Sequence, residues 1–270
     1  MPSRELEVRG KKIDLLEEGA GAPILYLHDM WDVHTAQADP FDFHVALAKD
    51  FKVYMPAHPG CGNSTGMEKI MSIEDLAFHY FDVLDALNLK NATIVGAGLG
   101  GWIATEMAVR NPERIGKMGL IGAAGLQKPN ALIADVFMYS QHRDGGVMQE
   151  LREILFNDHQ SDLAHLIVPD GRVNVPDEVR RYKSLTLAGR VGWEPPYLHD
   201  RKLTERLHRV TSRTKLVWGE NDRFVPIANG HFYCEQIKGA SLTSIPGAGH
   251  SVWIEKPRET LAALQSLLKE

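Results

Sequence analysis

Two residues late in the chain have the types and setting for proton transfer. Asp222 stands in "WGENDRFVP", directly after an apolar run that predicts a strand, and His250 stands in "IPGAGHSVWIEKP", after the last such run. A hydrogen-bonded Asp–His pair orients the imidazole and stabilises its cation, so His250 supported by Asp222 is expected to act as a general base. An earlier stretch, "IVGAGLGGW" (Ile94 to Trp102), has the apolar run, small residues and following helix of a nucleophile elbow. Such an elbow is a sharp strand-to-helix turn that lifts one side chain above the edge of a sheet. Here Gly96 and Gly100 flank the raised position, Gly101 allows close helix packing, and the raised position itself is Gly98. Glycine supplies no nucleophilic atom, so no covalent acyl-enzyme can form at this residue.

Other groupings compete for attention. Gly96, Gly98 and Gly101 also satisfy G-x-G-x-x-G literally. A dinucleotide fingerprint, however, sits in the first strand–helix unit, with an acid roughly 20 positions onward at the end of the next strand. This motif follows several earlier elements, and the next strand ends in "IGAAGL" with no acid. "HDMWDVH" gathers His28, Asp29, Asp32 and His34, but no further ligand is identifiable and the loop is expected to splay these side chains apart. Neither a metal nor a cofactor is expected. Cys61 reads as a buried packing thiol rather than a substitute nucleophile. Ser251 is adjacent to His250 in sequence, which is not hydrogen-bond geometry, and His58 before Pro59 reads as structural.

The elements that must position these residues follow from hydrophobic periodicity. "ELEVRG" and "KIDLLEE" predict an N-terminal hairpin turning at Gly10. "PILYLH", "FKVYMPA", "ATIVG" and "KMGLIGA" read as buried strands alternating with helices, among them Ser72 to Leu87, with Ser72 and Asp75 as a capping box, and Leu99 to Arg110. Alternation resumes with "TKLVWG", a helix near Ile227 to Ile237, "SLTSIP" and a helix from Pro257 to Lys269. This pattern predicts an α/β fold, with a mostly parallel central sheet and helices on both faces. Between Leu126 and Leu207 the alternation stops, and the segment reads as an inserted helical cap. The expected organisation is therefore a core of residues 1–125 and 208–270 with a cap at 126–207. Phe137, Trp193 and Tyr197 in the insertion are expected to line an apolar pocket or to form the cap's own core.

The 270 residues carry a formal net charge of −5, with Lys and Arg scattered, so no basic stripe suits a nucleic acid. No run approaches the roughly 20 apolar residues of a membrane span, and the N-terminus lacks a signal-peptide core. With two cysteines that match no metal or redox spacing, a cytoplasmic protein with a small-molecule substrate or ligand is expected, without membrane or nucleic-acid partners.

Taken in order, the elbow, the acid and the histidine resemble the α/β-hydrolase superfamily over nearly the whole chain, in its cap-bearing esterase and C–C hydrolase-like branch. "HPGCGNS" resembles the family's "HPGFGxS" turn, and "GWIATEMAVRNPERIGKMGLI" its elbow helix and following strand. The resemblance implies a serine where Gly98 stands and a glycine where Asp29 stands. It implies an oxyanion hole from the backbone N–H groups of Leu99 and the loop around Met30. Asp29, Trp31, Phe137 and Trp193 are then expected to bind the substrate. A carboxylate beside a developing oxyanion would oppose it unless protonated or turned away. The reaction expected is His–Asp general-base attack of water on a small apolar ester, lactone or C–C bond, without a covalent step, in the space the serine would have filled. A lyase or isomerase step would need only the histidine. The alternatives are a non-catalytic ligand-binding relative and a serine hydrolase whose nucleophile was mutated to glycine; the second departure, at Asp29, argues against the latter.

Overall fold

In the computed structural model, which describes residues 1–139, 146–171, 174–193 and 197–269, eight strands form one sheet. They are β1 (Ser3–Val8), β2 (Lys11–Glu18), β3 (Pro23–Leu27), β4 (Lys52–Pro56), β5 (Ala92–Ala97), β6 (Ile115–Ile121), β7 (Arg213–Gly219) and β8 (Ser241–Ile245), in the spatial order β1-β2-β4-β3-β5-β6-β7-β8. Only the pairings of β2, with β1 and with β4, are antiparallel; all others are parallel. The N-terminal hairpin turns through Arg9 and Gly10, both at positive φ. In β3 and β5 nearly every residue is buried, as expected for strands covered on both faces. Burial of each Ile, Leu or Val there contributes roughly 1.5–3 kcal/mol relative to exposure.

The helices in chain order are α1 (Asp42–Leu47), α2 (Ile73–Ala86), α3 (Leu99–Arg110), α4 (Val136–Tyr139), α5 (Gly146–Leu155), α6 (Asp162–Ile167), α7 (Val175–Gly192), α8 (Leu203–Arg206), α9 (Ile227–Gln236), α10 (Val252–Glu255) and α11 (Pro257–Leu268). Ser72 caps α2 by accepting the Asp75 N–H at 3.2 Å. Asp75 reaches back to the N–H of Met71 rather than that of Ser72, at 2.9 Å. The helices α4 to α8 all fall between β6 and β7. Of the 126–207 segment, residues 140–145, 172–173 and 194–196 lie outside the described residues.

The topology decides where chemistry can gather. From β3 the chain crosses to β4 on one side, and from β4 it returns to β5 on the other side of β3. The loops leaving β3 and β5 therefore diverge, opening a crevice at the carboxyl ends of these neighbouring strands, the usual ligand position in open α/β sheets.

Candidate active site

Asp29 lies two residues beyond β3, and Gly98 joins β5 to α3, so the crevice brings together two residues 69 positions apart. The turn at Gly98 has φ +47° and ψ −112°, a region that side-chain-bearing residues rarely adopt. It is fixed by the Gly98 N–H donating to Ile121 O at 2.9 Å and by the Gly98 carbonyl accepting from Ala124 N–H at 3.1 Å. Gly100 presses on β3: a Cβ there would lie 2.0 Å from Leu27 O.

The space at Gly98 does not stand open for a water, as the sequence suggested; the Asp29 carboxylate fills it. A Cβ built on Gly98 would lie 2.0 Å from Asp29 Oδ1 and 2.3 Å from its Cγ. Asp29 Oδ1 accepts the N–H of Leu99, the first residue of α3, at 2.8 Å. The carboxylate thus points inward and takes the amide expected to form an oxyanion hole. A helix N-terminus suits an anion, which offsets part of the cost of burying it. The Met30 carbonyl accepts from Ser184 Oγ of α7 at 2.9 Å.

Asp29 is held by its backbone. Its N–H donates to Asp32 Oδ2 at 3.3 Å, and its carbonyl accepts from Thr35 Oγ1 at 3.1 Å. His28 contributes a third tie, and the hydrogen bonds fix its tautomer. The His58 N–H donates to His28 Nε2 at 3.0 Å, so the ring proton sits on Nδ1 and is donated to Asp29 O at 2.9 Å. His58 is the opposite tautomer: Nε2–H donates to His28 O at 2.9 Å, leaving Nδ1 to accept from Tyr80. Burial holds both histidines neutral, His28 well below the usual imidazole range and His58 down to about 4.

His250 and Asp222 come from the loops after β8 and β7 and meet beside the same crevice. His250 Nδ1 donates to Asp222 Oδ2 at 2.9 Å, and Asp222 Oδ1 accepts the N–H groups of Phe224 (2.9 Å) and Val225 (2.8 Å). The other ring nitrogen, Nε2, is 3.6 Å from Asp29 Oδ2. Burial works against a charge on His250, but Asp222 and Asp29 outweigh it and push its pKa up to about 10. The two carboxylates thus favour the imidazolium form of the ring. Burial raises the Asp222 carboxyl against the pull of His250 and the two amides.

The structure therefore gathers Asp29, Gly98, Leu99, Asp222 and His250. Trp31 joins them through Phe224, whose ring is 6.1 Å from Trp31 and 4.7 Å, edge-on, from His250. Phe137 and Trp193 instead group with Tyr197 in a ring cluster of the insertion, Phe137 and Trp193 5.0 Å apart, and Trp193 is 47% exposed.

Several supporting residues carried no signal beyond their types. Asp32 accepts from Tyr26 Oη at 2.6 Å and Val33 N–H at 2.7 Å; burial pushes its carboxyl up to about 7. Glu255 anchors the histidine loop by accepting the Gly249 N–H at 2.6 Å and the Asn157 N–H at 2.9 Å. His34 is turned to Met55 O at 2.9 Å, and the side chains of His28, Asp29, Asp32 and His34 are drawn to different partners rather than to one point. Among the described residues no group of three or more His, Cys, Asp or Glu could hold a metal ion. Cys61 is buried and its thiol is pushed up to about 12, chiefly by burial, which makes it a poor nucleophile.

A doubly wound sheet, a strand–turn–helix elbow and an Asp–His pair beyond the ends of the last two strands define an α/β-hydrolase architecture. The alpha/beta hydrolase fold family matches residues 28–257, and the chain belongs to it. It is 25% identical to the 2-hydroxymuconate semialdehyde hydrolase of Pseudomonas sp. (strain CF600), across 99% of this chain and 94% of that protein. It is 24% identical to the monoacylglycerol lipase abhd6-A of Xenopus laevis, across 93% of this chain and 76% of that one. Among solved structures, the 2-hydroxy-6-oxo-6-phenylhexa-2,4-dienoate hydrolase of Rhodococcus sp. strain RHA1 superposes with a TM-score of 0.80, at 20% identity, over 100% of this chain and 99% of that one. This last likeness shows the fold.

Proposed function

We propose that the protein is a hydrolase of a small apolar substrate, an ester, lactone or C–C bond, in which the His250–Asp222 pair moves the protons and no serine takes part. The observation that carries this reading is the buried 2.9 Å His250–Asp222 hydrogen bond, which leaves His250 Nε2 3.6 Å from the carboxylate lying against Gly98, the raised residue of the elbow. Relatives named as a 2-hydroxymuconate semialdehyde hydrolase and a monoacylglycerol lipase support a hydrolytic reading. Gly98 and Asp29 read as a matched pair: a serine at 98 would collide with the carboxylate in its present position. This argues against a single serine-to-glycine change.

In this reading residues 126–207 form a cap. Asp29 and His250 are 1% and 0% exposed, so substrate reaches them only when covering segments move. The insertion touches the catalytic loops directly, through Ser184 on Met30 O, Ala134 N–H on Phe224 O (2.9 Å) and Leu155 O under Ser251 N–H (2.9 Å).

The test is a panel of meta-cleavage ring-fission products, aryl esters and lactones, assayed with the wild type, His250→Ala and Asp222→Asn. Wild-type turnover is expected, and His250→Ala is expected to lower it roughly 10²- to 10⁴-fold. Turnover unchanged in His250→Ala would refute the assignment, and tight binding with no turnover of any substrate would point to a ligand-binding protein.

A further inference from the structure

The two oxygens of the Asp29 carboxylate are placed for different tasks. Oδ1 is held by the Leu99 N–H at the start of a twelve-residue helix. Oδ2 is buried without a hydrogen-bond partner, and so is the nearby His250 Nε2. Buried polar atoms are nearly always paired, so a bare acceptor beside a bare donor calls for an explanation. Electrostatic attraction across 3.6 Å holds them together, yet each keeps a hydrogen-bonding position unspent.

We propose that Asp29 is the nucleophile of this site, attacking through Oδ2 a saturated carbon that bears an oxygen leaving group, and that water then hydrolyses the resulting ester. The inference rests on the reading of His250–Asp222 as the pair that moves the protons, and replaces both the acyl substrate and the direct attack of water with a saturated carbon and an Asp29 ester. An acyl substrate would need the Leu99 amide for its own developing oxyanion, but Asp29 Oδ1 already holds that amide. Displacement at a saturated carbon creates no such oxyanion. Once Oδ2 is esterified, Oδ1 becomes the ester carbonyl oxygen, still against the Leu99 N–H. Water adding to Cγ then places negative charge on Oδ1, where a donor already waits.

The proton balance closes with a small apolar epoxide as substrate. In the first step the Asp29 carboxylate forms a C–O bond, the ring C–O bond breaks, and the imidazolium of His250 gives its Nε2 proton to the departing oxygen. Asp29 is now an uncharged ester, and His250, with one carboxylate neighbour fewer, is a neutral base. In the second step His250 takes a proton from water as that water adds to Cγ. Collapse breaks the bond between Cγ and the alcohol oxygen, which takes the remaining proton from the hydroxyl just added to Cγ, giving a diol, the free carboxylate and the imidazolium with which the cycle began. The leaving oxygen stays tethered to the product, so nothing need depart from the closed site between the steps.

The decisive experiment is a single turnover of styrene oxide or cyclohexene oxide by excess wild-type protein in H₂¹⁸O, with mass spectrometry of both diol and protein. The expected result is ¹⁸O in the peptide containing Asp29 and none in the first-turnover diol. Asp29→Asn is expected to turn over at below roughly one-thousandth of the wild-type rate. Label in the diol with Asp29 unlabelled would overturn the nucleophile while leaving His250-assisted water attack standing. Failure to open any epoxide, with His250-dependent hydrolysis of esters or C–C bonds, would likewise overturn this inference alone. Inertness toward every class would overturn both.

Discussion

His250 sits between Asp222 Oδ2 at 2.9 Å and Asp29 Oδ2 at 3.6 Å, and its titration reports on both neighbours. Replacing Asp29 by Asn keeps the shape and the Leu99 hydrogen bond but removes one charge, so the imidazole pKa is expected to fall from about 10. NMR titration of ¹⁵N-labelled imidazole measures this directly; an unmoved pKa would show that Asp29 does not act on the ring. Stability follows from the same shift. A pKa raised in the folded state contributes stability that is complete below the unfolded value of 6.5 and is lost as pH rises through about 10. Denaturant midpoints are therefore expected to decline between pH 7 and 10, and to decline less in Asp29→Asn. At this scale the sequence was partly legible. Asp222 and His250 announce themselves by type and by their place after strands. The direction of Asp29 does not, because it is set by Thr35, Asp32 and His28 around the backbone and by an amide 70 positions away.

The strand–turn–helix unit around Gly98 carries its own expectation. Gly98→Ser alone places a Cβ on the Asp29 carboxylate at φ +47°, so it is expected to destabilise the fold and to gain no reactive serine. Gly98→Ser with Asp29→Gly removes the collision and returns the Leu99 N–H to an oxyanion. This double variant is expected to hydrolyse aryl esters and to take a fluorophosphonate label at residue 98. Equal labelling of the single and double variants would show that Asp29 does not occupy the elbow in solution. The elements themselves were readable because β3, β5 and β6 are apolar runs and α2 keeps helical spacing over Ile73, Leu76, Ala77, Tyr80 and Leu84, all buried. The four-residue α10 escaped notice, since one turn is too short to show a period. Its position matters nonetheless, because Glu255 at its end ties down the loop of His250.

At the scale of the whole molecule, the buried site turns over only if the insertion between β6 and β7 opens more readily than the sheet. The longest helix of that segment, α7, buries only Ser184, Leu187, Ala188 and Gly192 of its 18 residues, while Val175 and Tyr182 are each 71% exposed. It is attached to the loops beyond the strands by a few polar ties: Ser184 Oγ to Met30 O and Lys183 Nζ to Gly62 O, both 2.9 Å. So little apolar burial favours local opening without global unfolding. Amide hydrogen exchange in α7 is expected to be at least about 100-fold faster than in β5, whose buried residues report the global free energy. Ser184→Ala removes one tie worth about 0.5–1.5 kcal/mol, so protection in α7 is expected to drop roughly 2- to 12-fold. Because the opening is local, β5 exchange and substrate-independent melting are expected to change far less. Exchange in α7 and β5 at one common rate, responding together to Ser184→Ala, would mean that the helix unfolds only with the sheet. The route to Asp29 and His250 would then have to run through loops of the core instead.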